Sequence, residues 1–89
     1  MAKLGISIGQ MLSHVATKGP SEKMRRRIDN AVEDSPYKED CMNCLKAAEE
    51  GKKFYKKYGK FAECNQMVTD LAKEDVIVNF TDGYMIFSW

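Results

Sequence analysis

Cys41 and Cys44 stand in a C-x-x-C spacing, which can place two thiolates on adjacent corners of a tetrahedral zinc site. Cys64 and His14 would complete a set of three cysteines and one histidine. Structural zinc, however, usually draws such a pair from a tight turn. Here both cysteines fall on the apolar stripe of a helix-like pattern, where small buried thiols are common, so they read as core residues. No β-α-β pattern surrounds them to suggest redox exchange. His14 is the single histidine, and no nucleophile or carboxylate stands near it in a recognisable catalytic arrangement. Gly5, Gly9 and Gly19 follow no strand and lack the Gly-Lys-Ser/Thr ending of a phosphate loop. The expectation is a protein without catalytic residues, metal or cofactor.

Two basic clusters carry the remaining chemical signal. Lys23, Arg25, Arg26 and Arg27 form one, while Lys52, Lys53, Lys56, Lys57 and Lys60 surround Phe54, Tyr55 and Tyr58 in the other. Read as helices, these lysines make stripes suited to a phosphate backbone or an acidic protein surface. The plainer reading is a solvated face complementing the negative end of a helix dipole. The whole chain offers little steering field, because 14 Lys and Arg oppose 13 Asp and Glu, a formal net charge of +1. Tyr and Arg are enriched at binding hot spots, which makes Arg26, Lys53, Tyr55, Lys56, Lys57 and Tyr58 the candidate partner contacts.

The elements that position these residues follow from apolar spacing. Ser7 caps a first helix in which Ile8, Met11, Leu12 and Val15 make one stripe, stopped by Gly19 and Pro20. Pro20 suits the first turn of a second helix, with Met24, Ile28, Ala31 and Val32 on its inner face. Ser35-Pro36 then reads as the start of a third, longer helix. Its stripe of Tyr37, Cys41, Cys44, Ala48, Gly51, Tyr55 and Tyr58 has alternating spacings of four and three residues, a heptad pattern. Gly59 would end it, and a fourth helix would use Phe61, Cys64, Val68 and Leu71.

Asp82-Gly83 lies between β-rich runs and signals a two-residue type I′ hairpin turn, in which both central residues take positive φ. That turn sets Thr81 opposite Tyr84, Phe80 opposite Met85, Val78 opposite Phe87 and Val76 opposite Trp89. Val76, Val78, Phe80, Met85, Phe87 and Trp89 then share one apolar face, and Ile77, Asn79, Thr81, Tyr84, Ile86 and Ser88 share the other. A lone hairpin is barely stable in water, so its apolar face must lie on the helices or on a partner.

With 89 residues, 44% hydrophobic and 30% charged, the chain has the composition of one small globular domain. No apolar run reaches membrane-spanning length, and Met1 to Gln10 has no secretory signal pattern, so the expected setting is the cytoplasm, away from membranes. The expected fold is α+β: about four short helices followed by a C-terminal two-stranded antiparallel hairpin packed on them.

From Lys52 to Trp89 the expected order of helix, turn, helix and hairpin resembles the C-terminal half of a winged-helix domain. That resemblance implies nucleic-acid reading by the helix from Phe61 to Lys73. The same helix carries Glu63 and Asp70 and is followed by Glu74 and Asp75, which oppose phosphate. The leading expectation is therefore a non-catalytic module that regulates or inhibits a protein partner, a class that includes small accessory proteins of phages and mobile elements. Homodimerisation is an open route to a larger core. The rival expectations are a nucleic-acid binder and a sponge for an anionic nucleotide, both using the same basic clusters.

Overall fold

The computed structural model describes residues 6–59 and 61–89, with the side chains of residues 61–64 outside the description. Its elements, in chain order, are α1 (Ile8–Lys18), α2 (Glu22–Ala31), α3 (Lys38–Glu49), β1 (Phe54–Tyr58), α4 (Phe61–Ala72), β2 (Ile77–Thr81) and β3 (Tyr84–Ser88). The class is α+β, but the sheet has three antiparallel-paired strands in the order β1-β3-β2, one more than the hairpin alone. β1 and β2 both pair antiparallel with β3. They therefore run parallel to each other on its two sides, joined through α4 as a split β-α-β unit.

The expected third helix is corrected at its C-terminal half. α3 stops at Glu49 because Gly51 takes a positive φ of 86°. The Lys52 N–H reaches back to the Ala47 carbonyl (3.0 Å) and the Gly51 N–H to that of Ala48 (2.8 Å), the two bonds of a Schellman stop. Gly51 thus ends the helix rather than lying within it. Residues 54–58 then extend as β1 and pair with β3 in the register Phe54↔Ser88 to Tyr58↔Tyr84. The first helix of the winged-helix comparison is therefore a strand, and the lysines there follow a two-residue rather than a helical repeat. Gly59 ends no helix. It follows β1 and bonds to the Gly83 carbonyl, and a Cβ there would overlap Met85 Sδ.

The helix starts also shift in detail. Ser7 and Gln10 form a reciprocal capping box on α1. Pro20 lies before α2 rather than in its first turn, and Ser21 caps the helix by accepting from the Met24 N–H. Ser35 accepts from the Tyr37 N–H in a turn that precedes α3.

The hairpin has the expected register, from Ile77↔Ser88 to Thr81↔Tyr84. Asp82 (φ 51°) and Gly83 (φ 82°) both have positive φ, as the turn type requires. Trp89 continues beyond this pairing, and its N–H donates to the Lys53 carbonyl at 3.2 Å, tying the end of β3 to the start of β1.

One face of the sheet joins the helices in a single core. Val78, Met85 and Phe87 are buried there with Leu12, Val15, Ile28, Val32, Leu45 and Leu71, and Tyr55, Phe80 and Trp89 pack at its edge. α3 packs on β1 and α4 on β2, while α1 and α2 lie against α3 and each other. The Asp75 turn locks α1 to this assembly. The Gly9 N–H donates to the Glu74 carbonyl (2.7 Å), and Ser7 Oγ donates to Asp75 Oδ2 (2.6 Å).

Candidate interaction face

The strand at residues 54–58 divides the second basic and aromatic cluster between two sides of the sheet. Tyr55 and Lys57 point toward the helices. The Tyr55 ring lies 5.5 Å from that of Phe87, and its hydroxyl accepts from Asn43 Nδ2 at 3.2 Å. Lys57 runs its aliphatic stem along the inner side and delivers its ammonium to Asp40 Oδ1 at 2.7 Å. That bond raises the lysine's pKa above its ordinary value. Both residues are committed to holding β1 on α3.

Lys56 and Tyr58 face outward with Phe54. Cross-strand register completes three rows: Phe54, Ser88 and Ile77; then Lys56, Ile86 and Asn79; then Tyr58, Tyr84 and Thr81. Phe54 is 49% exposed, Tyr58 73% and Ile77 48%. Tyr58 and Tyr84 stack with centroids 4.4 Å apart, and their hydroxyls share a 2.9 Å hydrogen bond. The Lys56 ammonium sits 4.1 Å from the Tyr84 ring centre in a cation–π contact. These contacts join the outward side chains of β1 and β3. The face is aromatic and aliphatic, with one cation in its middle row.

Of the candidate contacts, the structure brings Lys56 and Tyr58 together on this face and sets Lys53 exposed at its foot, immediately before Phe54. Arg26 belongs to another surface, on exposed α2, paired with Glu22 at 3.2 Å. Phe54, Ile77, Tyr84 and Ile86 are additions. For Ile77, Tyr84 and Ile86 the signal in the sequence is the outward set of the hairpin, which carries two isoleucines and a tyrosine where a solvated face would be polar; Phe54 has none without β1.

Much of the basic character is countered within the chain. Arg25 pairs with Glu49 (2.6 Å), Lys38 with Asp29 (3.8 Å) and Lys52 with Glu50 (3.4 Å), beside the pairs of Arg26 and Lys57.

The thiols of Cys41 and Cys44 belong to the core. Cys41 and Cys44 are buried on α3, and burial, then the charges of Asp40 and Glu74, pushes the Cys41 thiol up to about 11. Cys44 is also raised, first by burial and then by Cys41 and Asp40. His14 is exposed on α1, and the Cys64 side chain lies outside the described residues. Among the described residues no three His, Cys, Asp or Glu side chains form a group able to hold a metal ion. Nor is any helix among them long and apolar enough to cross a membrane.

Comparison of the chain with protein-family models, curated proteins and solved structures gave no match in any of the three.

Proposed function

We propose that the chain is a non-catalytic interaction module that regulates or inhibits a protein partner docked on the open face of its sheet. The observation that carries this reading is the prearranged outward set of Phe54, Tyr58 and Ile77, exposed beside the stacked Tyr84. Large apolar side chains gathered on one exposed face mark interaction surfaces more often than scattered ones do. The complementary partner offers an aliphatic or aromatic knob for the Phe54–Ile77 side and a carboxylate for Lys56 and Lys53.

Two other occupants fit less well. A nucleic-acid base stacking on Tyr84 would have to displace Tyr58 or the Lys56 ammonium, and a phosphate track would find Lys57 turned inward to Asp40. A two-fold contact with its axis through the middle row would set Lys56 of one copy near Lys56 of the other, with like charges opposed.

Parallel affinity purification from the native host tests this reading, using the wild type, a Phe54→Ser/Ile77→Ser variant and an Arg26→Ala/Arg27→Ala control. The partner is expected with the wild type and the α2 control and absent from the sheet variant, whose circular dichroism stays native. Equal recovery on the sheet variant, or loss on the α2 control, would place the interface elsewhere.

A further inference from the structure

The chain has four tyrosines, and the sheet brings two of them into ring contact. Backbone bonds at the ends of the β1–β3 pairing fix how closely they stand. The Gly59 N–H donates to the Gly83 carbonyl and the Trp89 N–H to the Lys53 carbonyl, each at 3.2 Å. Hydrogen-bonded and non-hydrogen-bonded positions alternate along an antiparallel pair. Stepping inward from either end in the observed register leaves Tyr58↔Tyr84 at a non-hydrogen-bonded position, where facing side chains approach most closely.

The two rings stack with centroids 4.4 Å apart and planes 24° from parallel, and their hydroxyls are 2.9 Å apart. Each hydroxyl oxygen is two bonds from its ortho ring carbons, so the same contact brings ortho carbons of the two rings beside each other. The other tyrosines are engaged elsewhere: Tyr37 donates to Asp70, and Tyr55 accepts from Asn43 on the helix side of the sheet.

We propose that Tyr58 and Tyr84 form a site of oxidative modification, at which a one-electron oxidant, such as a peroxidase acting with peroxide, joins the two rings as an intramolecular dityrosine. Tyr58 is exposed to an oxidant in solution. The Lys56 ammonium, 4.1 Å from the Tyr84 ring centre, opposes loss of an electron from that ring. The first electron therefore leaves Tyr58, and its phenolic proton passes to water. A second oxidising equivalent removes an electron and a proton from Tyr84. The two radicals then pair as one carbon–carbon bond between ortho carbons. The hydrogens on those carbons leave as protons and the phenolic oxygens are reprotonated, which restores both aromatic rings. In sum the protein gives up two electrons and two protons, and one peroxide takes them up to become two waters. The bond fastens β1 to β3 between positions 26 residues apart, a closure that restricts the unfolded chain. It rests on the tyrosine pair alone and holds whether or not a partner docks on the open face.

The test treats the full chain with a peroxidase and hydrogen peroxide and follows dityrosine fluorescence, intact mass and peptide mapping. The expected product is a monomer lighter by two hydrogen atoms, with the new bond mapped between Tyr58 and Tyr84. Its rate per molecule should stay constant on dilution, whereas coupling between molecules would slow about tenfold for a tenfold dilution, because the neighbouring ring is already in place. Tyr58→Phe and Tyr84→Phe should each abolish the lighter monomer, and Tyr37→Phe should keep it. The purified cross-linked monomer should melt at a higher temperature than the untreated protein. Cross-linked dimers without the lighter monomer, or a bond mapped to any other pair, would overturn the proposal. Persistence of the lighter monomer in Tyr58→Phe would do the same.

Discussion

Single residues in this protein are constrained most where backbones meet. Gly9 lies in the first turn of α1, and a Cβ there would overlap the Asp75 carbonyl oxygen beside the 2.7 Å bond from Gly9 to Glu74. Because the obstacle is backbone rather than a flexible side chain, Gly9→Ala must part α1 from the α4–β2 turn. Urea denaturation is expected to show a loss of about 1–3 kcal/mol, the usual scale of overpacking. An unchanged midpoint would show that the α1–turn latch contributes little.

The cysteines carry a chemical prediction. With the Cys41 thiol near 11, only about one molecule in a thousand holds a thiolate there at pH 8, and the thiolate is the reactive form. In a Cys64→Ser background, Cys41 and Cys44 should resist a disulfide reagent in the native protein and react at once in denaturant. Rapid native labelling of either would contradict their place in the core. Their C-x-x-C spacing was legible from the sequence, and so was their core role, because both sit on the apolar stripe of α3.

At the scale of elements, α1, α2 and the hairpin were legible because each combines a regular apolar period with a local start or turn signal. β1 was not. In Phe54-Tyr55-Lys56-Lys57-Tyr58 the binary pattern is blurred, with aromatics on both sides and a lysine on the inner side that is tolerated only because Asp40 receives it. Tyr55 and Tyr58 also continue the three-and-four spacing of the helix before them. Tertiary pairing with β3 decides between the two periods, and the hairpin supplies that partner from 26 residues away at Tyr58↔Tyr84.

Gly51 separates the two readings by the sign of one mutation. As the left-handed stop of α3 at φ 86°, Gly51→Ala should destabilise the protein by about 1 kcal/mol, although the added methyl meets nothing within 4 Å. Inside a continuous helix the same change would stabilise by about as much. The direction of the shift in melting temperature therefore checks the boundary between α3 and β1.

At the scale of the whole molecule, the helices cover one side of a three-stranded sheet and leave the other side aromatic and aliphatic. The sequence separated the two faces of the hairpin correctly, yet the make-up of the outward sheet face was only half legible. It needs a third strand to bring Phe54, Lys56 and Tyr58 beside Ile77, Tyr84 and Ile86, and that strand was read as helix. Arg26, which is prominent by residue type, ends on α2 paired with Glu22.

Apolar docking and phosphate attraction respond differently to ionic strength, since each neutralised phosphate releases a counterion whereas apolar contacts do not. The most direct measurement is calorimetric titration of the purified partner into the wild type and into Phe54→Ser/Ile77→Ser, at about 50 mM and about 200 mM salt. An apolar face predicts wild-type affinity that changes little with salt and a sheet variant at least about tenfold weaker at both concentrations, as for the loss of a buried hot spot. Affinity that falls by about a thousandfold or more between the two salt concentrations, and is equal for wild type and variant, would contradict it and assign binding to the lysines alone.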